Sequence, residues 1–147
     1  LSDEEKQSNT IKFRQSTYDY IIVDMPPAMN DFTENVLTIC DYVYVPIELG
    51  TFAVQGLARV TQKIANAGTK YACFASKYDK GNKADQELLE IMKKNLGDKV
   101  LNTVIPFSRA IKNSISYRIT ASEYMSWINP ARCYERLADE IIRTVEQ

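Results

Sequence analysis

A short apolar run that ends in a carboxylate and two prolines constrains the fold of this 147-residue chain most. The run covers residues 20–23, and Asp24, Pro26 and Pro27 follow it at once. An apolar run of this length, closed by turn residues, is typical of a buried strand in a parallel sheet. Because proline has no amide hydrogen, the backbone must leave the sheet at this point. The pattern predicts a strand with Asp24 at its carboxyl end, where open α/β sheets bind ligands.

Strand and helix patterns alternate along the rest of the chain. Further strands are predicted at residues 42–47, 71–77 and 103–105. Helices are predicted at residues 31–38, 52–67, 84–96, 108–116 and 131–145. Asn30 or Asp31 should cap the first of these helices, and Gly68 and Gly97 should end two others. This alternation predicts a three-layer α/β fold, a mostly parallel sheet flanked by helices, in one domain over residues 1–147.

Apolar spacing predicts which face of each later helix packs inward. In the helix at residues 84–96, the predicted inward side chains are Leu88, Ile91, Met92 and Leu96. In the last helix, they are Tyr134, Leu137, Ala138, Ile141 and Val145. Both sets recur every three or four residues, which places each on one side of its helix.

Composition excludes several function classes. A net charge of −1 gives no global basic field for nucleic acid, and the absence of histidine removes the commonest general base and metal ligand. Cys40, Cys73 and Cys133 fit neither a zinc pattern nor a disulfide framework, so we expect reduced thiols in a cytoplasmic protein. No apolar run approaches the roughly 18 residues of a membrane-spanning helix.

Asp24 is the strongest candidate for a functional residue. A carboxylate at the end of a buried strand suits the binding of Mg²⁺ on the phosphates of a nucleotide, directly or through water. Alternatively, this aspartate starts a turn or caps the helix that follows. The residue type and its position alone leave both interpretations open.

Residues 18–57 closely resemble the ParA/Soj group of partition ATPases. That family reads roughly YDYIIIDxPP, then a short helix, then AADxVIIPV, then a helix containing EGL. The matching residues are Asp24, Pro26, Pro27, Asp41, Val45, Pro46, Gly56 and Leu57. A weaker resemblance continues through residues 103–106 and 134–141. It implies a P-loop NTPase-like fold that is incomplete without its amino-terminal strands.

The resemblance assigns roles to several residues. Asp24 would serve catalysis by holding Mg²⁺, possibly through water, and Pro26 and Pro27 would begin the switch that senses the γ-phosphate and meets a second subunit. Strand ends would border the adenine of ATP. Those cofactor-binding residues would be Ser76, Lys77, Pro106 and Phe107. Solvated loops explain these strand ends equally well.

The resemblance also implies that basic residues in the carboxyl-terminal third bind DNA without sequence preference. The candidates here are Arg109, Lys112 and Arg118. Phosphate contacts suit such binding because they carry affinity without base readout. Phe107 stands where the family often has arginine, and residues 116–119 depart from its glycine-containing GxPI segment. Scattered surface charge is the alternative.

The glycine-rich phosphate loop of this family, KGGxGKT, has no counterpart here. None of the five glycines belongs to such a pattern. We expect the chain to be the carboxyl-terminal part of a longer ParA-like protein and to be inactive alone, without tight ATP binding. In the family's sheet, a strand lies between the strand that ends at Asp24 and the strand at residues 42–47. We therefore expect the chain to close this gap, to swap segments with a copy of itself, or to retain a separate amino-terminal piece.

The resemblance implies that the full-length protein binds ATP–Mg²⁺, forms a homodimer, binds DNA and hydrolyses ATP when a ParB-like partner stimulates it. It would be cytoplasmic and nucleoid-associated, and would act in chromosome or plasmid partition. One alternative is a MinD-like membrane-cycling ATPase, but the mixed charges of the last helix do not suit a bilayer, so no membrane partner is expected. Another is a non-enzymatic α/β interaction module that lacks the phosphate loop.

Overall fold

The computed structural model describes residues 18–26, 30–50, 53–125 and 129–146. The chain forms two compact units, which divide between Thr33 and Glu34.

The prediction of a strand at residues 20–23 is wrong. Residues 18–26 contain neither strand nor helix, and the Ile22 side chain is 93% exposed. Apolar residues form a buried strand only where a neighbouring backbone supplies hydrogen-bond partners and an opposing layer covers the side chains. None of the residues 18–26 is assigned to a strand, so Asp24 does not end a strand there.

Helix α1, Asp31–Ile39, begins at a side-chain cap. Asn30 Oδ1 accepts hydrogen bonds from the Thr33 amide and the Thr33 hydroxyl, each at 3.0 Å. This contact satisfies one of the free amide hydrogens of the first turn, which identifies Asn30 as the predicted cap.

The second unit alternates strands and helices, as predicted. Its elements are β1 Tyr42–Glu48, α2 Ala53–Asn66, β2 Lys70–Ser76, α3 Lys83–Leu96, a 3₁₀ turn Gly97–Lys99, α4 Arg109–Ser116, α5 Ala121–Met125 and α6 Asn129–Val145. The two strands are parallel, with Tyr42 opposite Lys70 at one end and Glu48 opposite Ser76 at the other. Helix α5 was not predicted from the sequence.

The sheet buries apolar side chains on both faces. One cluster contains Ile47, Leu57, Cys73, Ala75, Leu89, Met92 and Val100. The other contains Ala72, Leu101, Ile105, Cys133 and Leu137. Helices α2 and α3 contribute to the first cluster and α6 to the second, so the unit has the predicted three layers. Ile91, predicted to face inward, is exposed instead, and the buried residue of that turn is Leu89.

Glycine ends two helices, as predicted. After α2, Gly68 has a φ of 76°, its amide donates to the Ala65 carbonyl, and the Thr69 amide donates to the Ile64 carbonyl. This pair of bonds closes the helix, and the positive φ that it requires favours glycine. After α3, Gly97 has a φ of 56°.

The prediction of a strand at residues 103–105 is also wrong. A bulged segment, residues 100–107, runs beside β2 and forms an isolated parallel bridge near each of its ends. Between the bridges there is no regular ladder, because the segment contains extra residues. The segment nevertheless occupies the position of a third strand, next to β2.

The other edge of β1 has no strand partner among the described residues. Peptide groups of successive residues in a strand point alternately to its two edges. In β2, Cys73 and Ala75 bond to the bulged segment, so their neighbours bond to β1. The register then directs the peptide groups of four β1 residues to the outer edge. These are Tyr42, Tyr44, Pro46 and Glu48.

Candidate functional site

Four predicted site residues meet at one edge of the sheet, which we call the rim. It consists of Glu48, Ser76, Lys77, Pro106 and Phe107. Carboxyl ends of parallel strands lie at a common edge, and the bulged segment runs parallel to β2 and ends there too. The sequence prediction that the ends of these two chain segments lie together is therefore met.

A one-residue bulge in the backbone shapes the rim. The Ile105 amide donates to the Ala75 carbonyl at 2.9 Å, and a regular parallel ladder would continue with the amide of Lys77. Instead, the Tyr78 amide donates to the Ile105 carbonyl at 3.0 Å, and the Phe107 amide donates to the Tyr78 carbonyl at 2.9 Å. Lys77 is the extra residue, with a φ of 54°. Bulges of this kind redirect a side chain, and they occur frequently next to active sites.

Lys77 forms an ion pair with Glu48 across the rim. Its Nζ donates to Glu48 Oε2 at 2.6 Å. The side chains are 60% and 65% exposed, respectively, so the pair contributes only about 0–1 kcal/mol to stability. Both charged groups are accessible to a ligand that approaches the rim from solvent.

The loop after the rim is fixed by the first turn of α3. Asp85, only 8% exposed, accepts a hydrogen bond from the Asp79 amide at 2.9 Å and one from Asn82 Nδ2 at 3.0 Å. Asn82 Oδ1 in turn accepts from the Ala84 amide at 3.0 Å. These bonds supply partners for a free amide hydrogen in the first turn of α3 and for the Asp85 carboxylate. They therefore hold the loop in one conformation.

Phe107 gives the rim an accessible aromatic ring. Its side chain is 60% exposed, whereas Pro106 beside it is partly buried. An aromatic face suits stacking with a flat heteroaromatic ring, and the nearby lysine suits an anionic group. The rim can therefore bind a base and a charged group, but it presents no histidine and no buried nucleophile.

The predicted basic residues follow the rim directly. Arg109 and Lys112 lie three residues apart on α4, so they share one side of the helix, and both are exposed. Arg118 follows the helix and is exposed as well. Residues 99–122 contain no aspartate or glutamate, although the whole chain has a net charge of −1. This part of the surface is locally basic.

Arg118 adopts a backbone conformation that favours glycine. Its φ is 56°, its amide donates to the Ile115 carbonyl at 3.0 Å, and the Ile119 amide donates to the Ser114 carbonyl at 3.2 Å. These two bonds form the same helix-ending motif that Gly68 completes after α2. The Arg118 side chain therefore leaves α4 from a strained position.

The remaining predicted site residues belong to the first unit. Asp24 and Pro26 lie in its residues 18–26, and Pro27 lies outside the described residues. Within the part of the chain that the structure describes, no three cysteine, aspartate or glutamate residues gather as metal ligands. The magnesium role of Asp24 stays a prediction from sequence.

Sequence reasoning missed three acidic residues: Glu48, Asp85 and Glu140. Asp85 could have been found, since an asparagine three residues before it forms a recognisable helix-start pattern. Glu48 could have been found as the charged residue that ends its strand. Glu140 carried no such signal, because its contacts come from the distant bulged segment.

A separate open cavity lies at the other end of the strands. Its volume is ≈ 890 Å³, and Tyr42 and Lys70, the first residues of β1 and β2, line it. Its charged lining residues are Lys70, Asp98, Arg136, Asp139, Glu140 and Arg143. None of the rim residues contributes to it, so the rim is an open edge distinct from this cavity.

The chain is similar in sequence to several known proteins. A family model described as an AAA domain matches residues 2–77. The chain is 33% identical to the chromosome-partitioning ATPase Soj of Treponema pallidum over 135 residues, 87% of this chain and 53% of that protein. It is 26% identical to the chromosome partitioning protein ParA of Caulobacter vibrioides over 132 residues, 85% of this chain and 49% of that protein.

A solved structure shares the fold. This is a plasmid partition protein from Borrelia burgdorferi, with a TM-score of 0.56 and 22% identity, covering 80% of this chain and 52% of that one. The chain thus spans about half the length of the relatives it matches. No helix in the described ranges is both long enough and apolar enough to cross a bilayer.

Proposed function

The chain belongs to the ParA/Soj-type partition ATPases of the AAA-domain family, and from this premise we propose that it supplies the base-contacting rim and the DNA-contacting surface of such an ATPase. The observation that carries the proposal is the rim. Three separate chain segments meet there and present a glutamate, a lysine and an exposed phenylalanine at the ligand side of a parallel sheet.

In this proposal, the adenine of ATP packs against Phe107 and Pro106, and the chain turns at Ser76 and Lys77 to border it. Asp24 holds the Mg²⁺ of the nucleotide, possibly through water, and so neutralises phosphate charge. Cleavage of ATP also needs a phosphate loop, and the sequence of these 147 residues contains no pattern for one. The chain alone is therefore expected to bind nucleotide weakly and not to hydrolyse it.

The same proposal assigns the partners. The complete protein forms a homodimer around ATP, responds to a ParB-like partner, and binds DNA phosphates through Arg109, Lys112 and Arg118 in a cytoplasmic, nucleoid-associated state. The absence of carboxylates from residues 99–122 supports this assignment. Phosphate binding needs a local excess of cations, and acidic neighbours would oppose it.

Titration with ADP and Mg²⁺, followed by amide chemical shifts of the 147-residue chain, tests the base site. We expect shifts at Ser76, Lys77 and Phe107, and none at Lys70 beside the cavity. Phe107→Ala should reduce the shifts by removing the stacking surface. Lys80→Ala removes another lysine beyond the rim and serves as the control. Shifts confined to the cavity, or no shifts at all, would contradict the proposed base site.

DNA binding is tested by fluorescence anisotropy over a range of salt concentrations. Replacing Arg109 and Lys112 by glutamine should weaken binding and lower the slope of log K against log salt by about 0.9 for each phosphate that the variant no longer neutralises. The same change at Lys93 and Lys94 of α3 removes equal charge elsewhere. An equal effect of the two double variants would show that net charge, and not the α4 surface, governs binding.

The membrane-cycling alternative requires a free apolar helix face. In α6, Ala131, Cys133 and Leu137 are buried, and the exposed side mixes Tyr134, Ile142 and Val145 with acidic and basic side chains, which does not suit a bilayer. Sedimentation with vesicles of anionic lipid tests the point. We expect the chain to stay in the supernatant at physiological salt, and sedimentation with the vesicles would favour the membrane alternative. The non-enzymatic alternative predicts no ADP shifts at the rim.

A further inference from the structure

The bulged segment contains two residues more than β2 over the same length. The Leu101 amide donates to the Cys73 carbonyl at 2.8 Å, and the Ile105 amide donates to the Ala75 carbonyl at 2.9 Å. Four residues of the segment therefore pass two residues of β2. The surplus directs the amides of residues 102 and 103 away from β2, where each needs another acceptor.

Glu140 of α6 accepts both of these amides. The Asn102 amide donates to Glu140 Oε1 at 2.6 Å, and the Thr103 amide donates to Oε2 at 2.8 Å. Asn102 Nδ2 adds a longer bond to Oε1 at 3.3 Å. One carboxylate thus satisfies both amides of the bulge with charge-assisted bonds, the stronger kind of hydrogen bond in proteins.

The carboxylate is held in place by the packing of α6. One turn before it, Leu137 is buried in the core cluster against the sheet. One residue after it, the Ile141 carbonyl accepts a hydrogen bond from the hydroxyl of Tyr44 in β1 at 3.2 Å. These two contacts hold Glu140 against the sheet, although Leu101 and Ile105 of the bulged segment share the cluster with Leu137.

Hydrophobic patterning alone does not fix the register of the bulged segment. A slip by two residues would remove the bulge and place Thr103 where Ile105 now bonds to Ala75. Side chains alternate with a period of two, so this slip keeps every side chain on its present face of the sheet. It would carry Pro106 and Phe107 about 6.6 Å along β2 and away from the rim.

We propose that Glu140 is a positioning residue that fixes the register of the bulged segment and so holds Pro106 and Phe107 at the rim. That the rim binds a nucleotide base rests on the proposed function, whereas the register role of Glu140 does not. Without the carboxylate, the bulge has two unpaired amides, and the slipped ladder becomes competitive.

The titration of Glu140 agrees with this role. Burial acts to raise the pKa of Glu140, but hydrogen bonds from Thr103 and Asn102 outweigh burial and leave this pKa lowered. Because the folded-state pKa is lowered, the stabilisation exists at neutral pH and is lost as the pH falls through the folded-state value. The charged groups that line the same cavity are Lys70, Asp98, Arg136, Asp139 and Arg143.

Hydrogen exchange of single amides in the 147-residue chain tests the proposal. Glu140→Gln keeps the size of the side chain but replaces one carboxylate oxygen by an NH₂ group. This group is a hydrogen-bond donor, so it cannot accept the backbone amide hydrogen that it faces. We expect exchange of the Phe107 and Tyr78 amides to accelerate about tenfold, the factor for one charge-assisted bond. Amides of Val45 and Ile47, in the ladder between β1 and β2, should change much less. Asp139→Asn, which removes a neighbouring charge, should behave like the unchanged protein.

Unchanged exchange at Phe107 in Glu140→Gln would overturn the proposal, as would equal acceleration at Val45. If this variant does not fold, the unchanged protein provides a second test. Its Phe107 protection should be lost together with the titration of the Glu140 carboxyl carbon as the pH falls, and independent behaviour would overturn the proposal. Absence of ADP shifts in the unchanged protein would refute the base site and leave the exchange result valid.

Discussion

Two residues other than glycine, Lys77 and Arg118, have positive φ angles among the residues described. Each was predicted from the sequence as a site residue. A left-handed conformation costs a side-chain-bearing residue about 1–2 kcal/mol, so it persists only where the surrounding contacts require it. At Lys77 the surrounding contacts are the one-residue bulge and the ion pair with Glu48.

Replacement of Lys77 separates backbone strain from the ion pair. Lys77→Ala keeps the strain and loses the bond to Glu48, so we expect it to be neutral or slightly destabilising. Lys77→Gly loses the same bond but relieves the strain, and should be more stable than the alanine variant by about 1 kcal/mol. Urea unfolding of both variants measures this difference. Equal stabilities would show that the left-handed conformation carries no cost here.

Some of the residues that form or position the rim could be found from the sequence and others could not. Lys77 and Phe107 were found because each follows an apolar run that ends at the ligand side of a parallel sheet. Glu140 could not be found, because its partners, the amides of Asn102 and Thr103, are freed only by the bulge. A bulge depends on which backbones pair, and residue types alone do not record it.

At the scale of single elements, α4 ends with the hydrogen-bond motif of a glycine-terminated helix, but Arg118 occupies the position of the glycine. Arg118→Gly should stabilise the protein by about 1 kcal/mol, because only glycine adopts this φ without steric cost. Arg118→Ala is the matched control, which removes the guanidinium but keeps the strain. Thermal unfolding measures stability, and anisotropy measures DNA affinity. If both variants lose affinity equally while only the glycine variant gains stability, the guanidinium serves binding.

The buried face of α6 differs from the predicted one. Leu137 is buried as predicted, but Tyr134 and Val145 are 40% exposed, and the small residues Ala131 and Cys133 face the interior instead. Apolar spacing predicted one stripe, made mostly of large side chains. Which face packs inward also depends on how closely the helix approaches the sheet, which small side chains permit and the sequence pattern does not state.

Two truncations test which face of α6 is buried. Leu137→Ala should lower the free energy of unfolding by about 2–5 kcal/mol, because it leaves a cavity in the core cluster. Val145→Ala removes fewer methyl groups from a partly exposed position and should cost less than about 1 kcal/mol. Chemical denaturation of both variants provides the measurement. A similar loss in both would mean that α6 packs along the face predicted from the sequence.

At the scale of the whole molecule, the alternation of strands and helices predicted the parallel pairing of β1 and β2 and the three layers of the second unit. The strands predicted at residues 20–23 and 103–105 were wrong for a shared reason. Both patterns describe side chains that suit burial, but a strand also needs a regular neighbour. That neighbour is a property of the assembled sheet and not of the run itself.

Burial of titratable side chains of the two strands should make the molecule sensitive to alkaline pH. Burial raises the pKa of Tyr44 to about 12, and burial also raises the pKa of Cys73 to about 11. Because these folded-state values are raised, their stabilisation is complete below the unfolded pKa values and is lost as the pH rises through the folded ones. The free energy of unfolding should therefore fall as the pH rises from about 9 to about 12.

Tyr44→Phe should make this alkaline fall shallower, because one of the groups responsible is gone. It should also cost about 0.5–1.5 kcal/mol at neutral pH, since the hydrogen bond to the Ile141 carbonyl is lost. Tyr117→Phe, at an exposed position, is the control and should leave the pH profile unchanged. An unaltered profile in Tyr44→Phe would assign the alkaline loss to other residues.

Pro46 lies on the outer edge of β1, which has no strand partner within the described ranges, and has no amide hydrogen to donate there. A polypeptide that joins the sheet at this edge can accept hydrogen bonds from the amides of the outward-pointing residues before and after the proline. It can accept none from the proline itself. An unbroken row of identical strands, the arrangement that leads to fibrils, is disfavoured at this point. Pro46 thus permits the addition of one short strand with a compatible hydrogen-bond pattern and disfavours the repeated addition of identical strands.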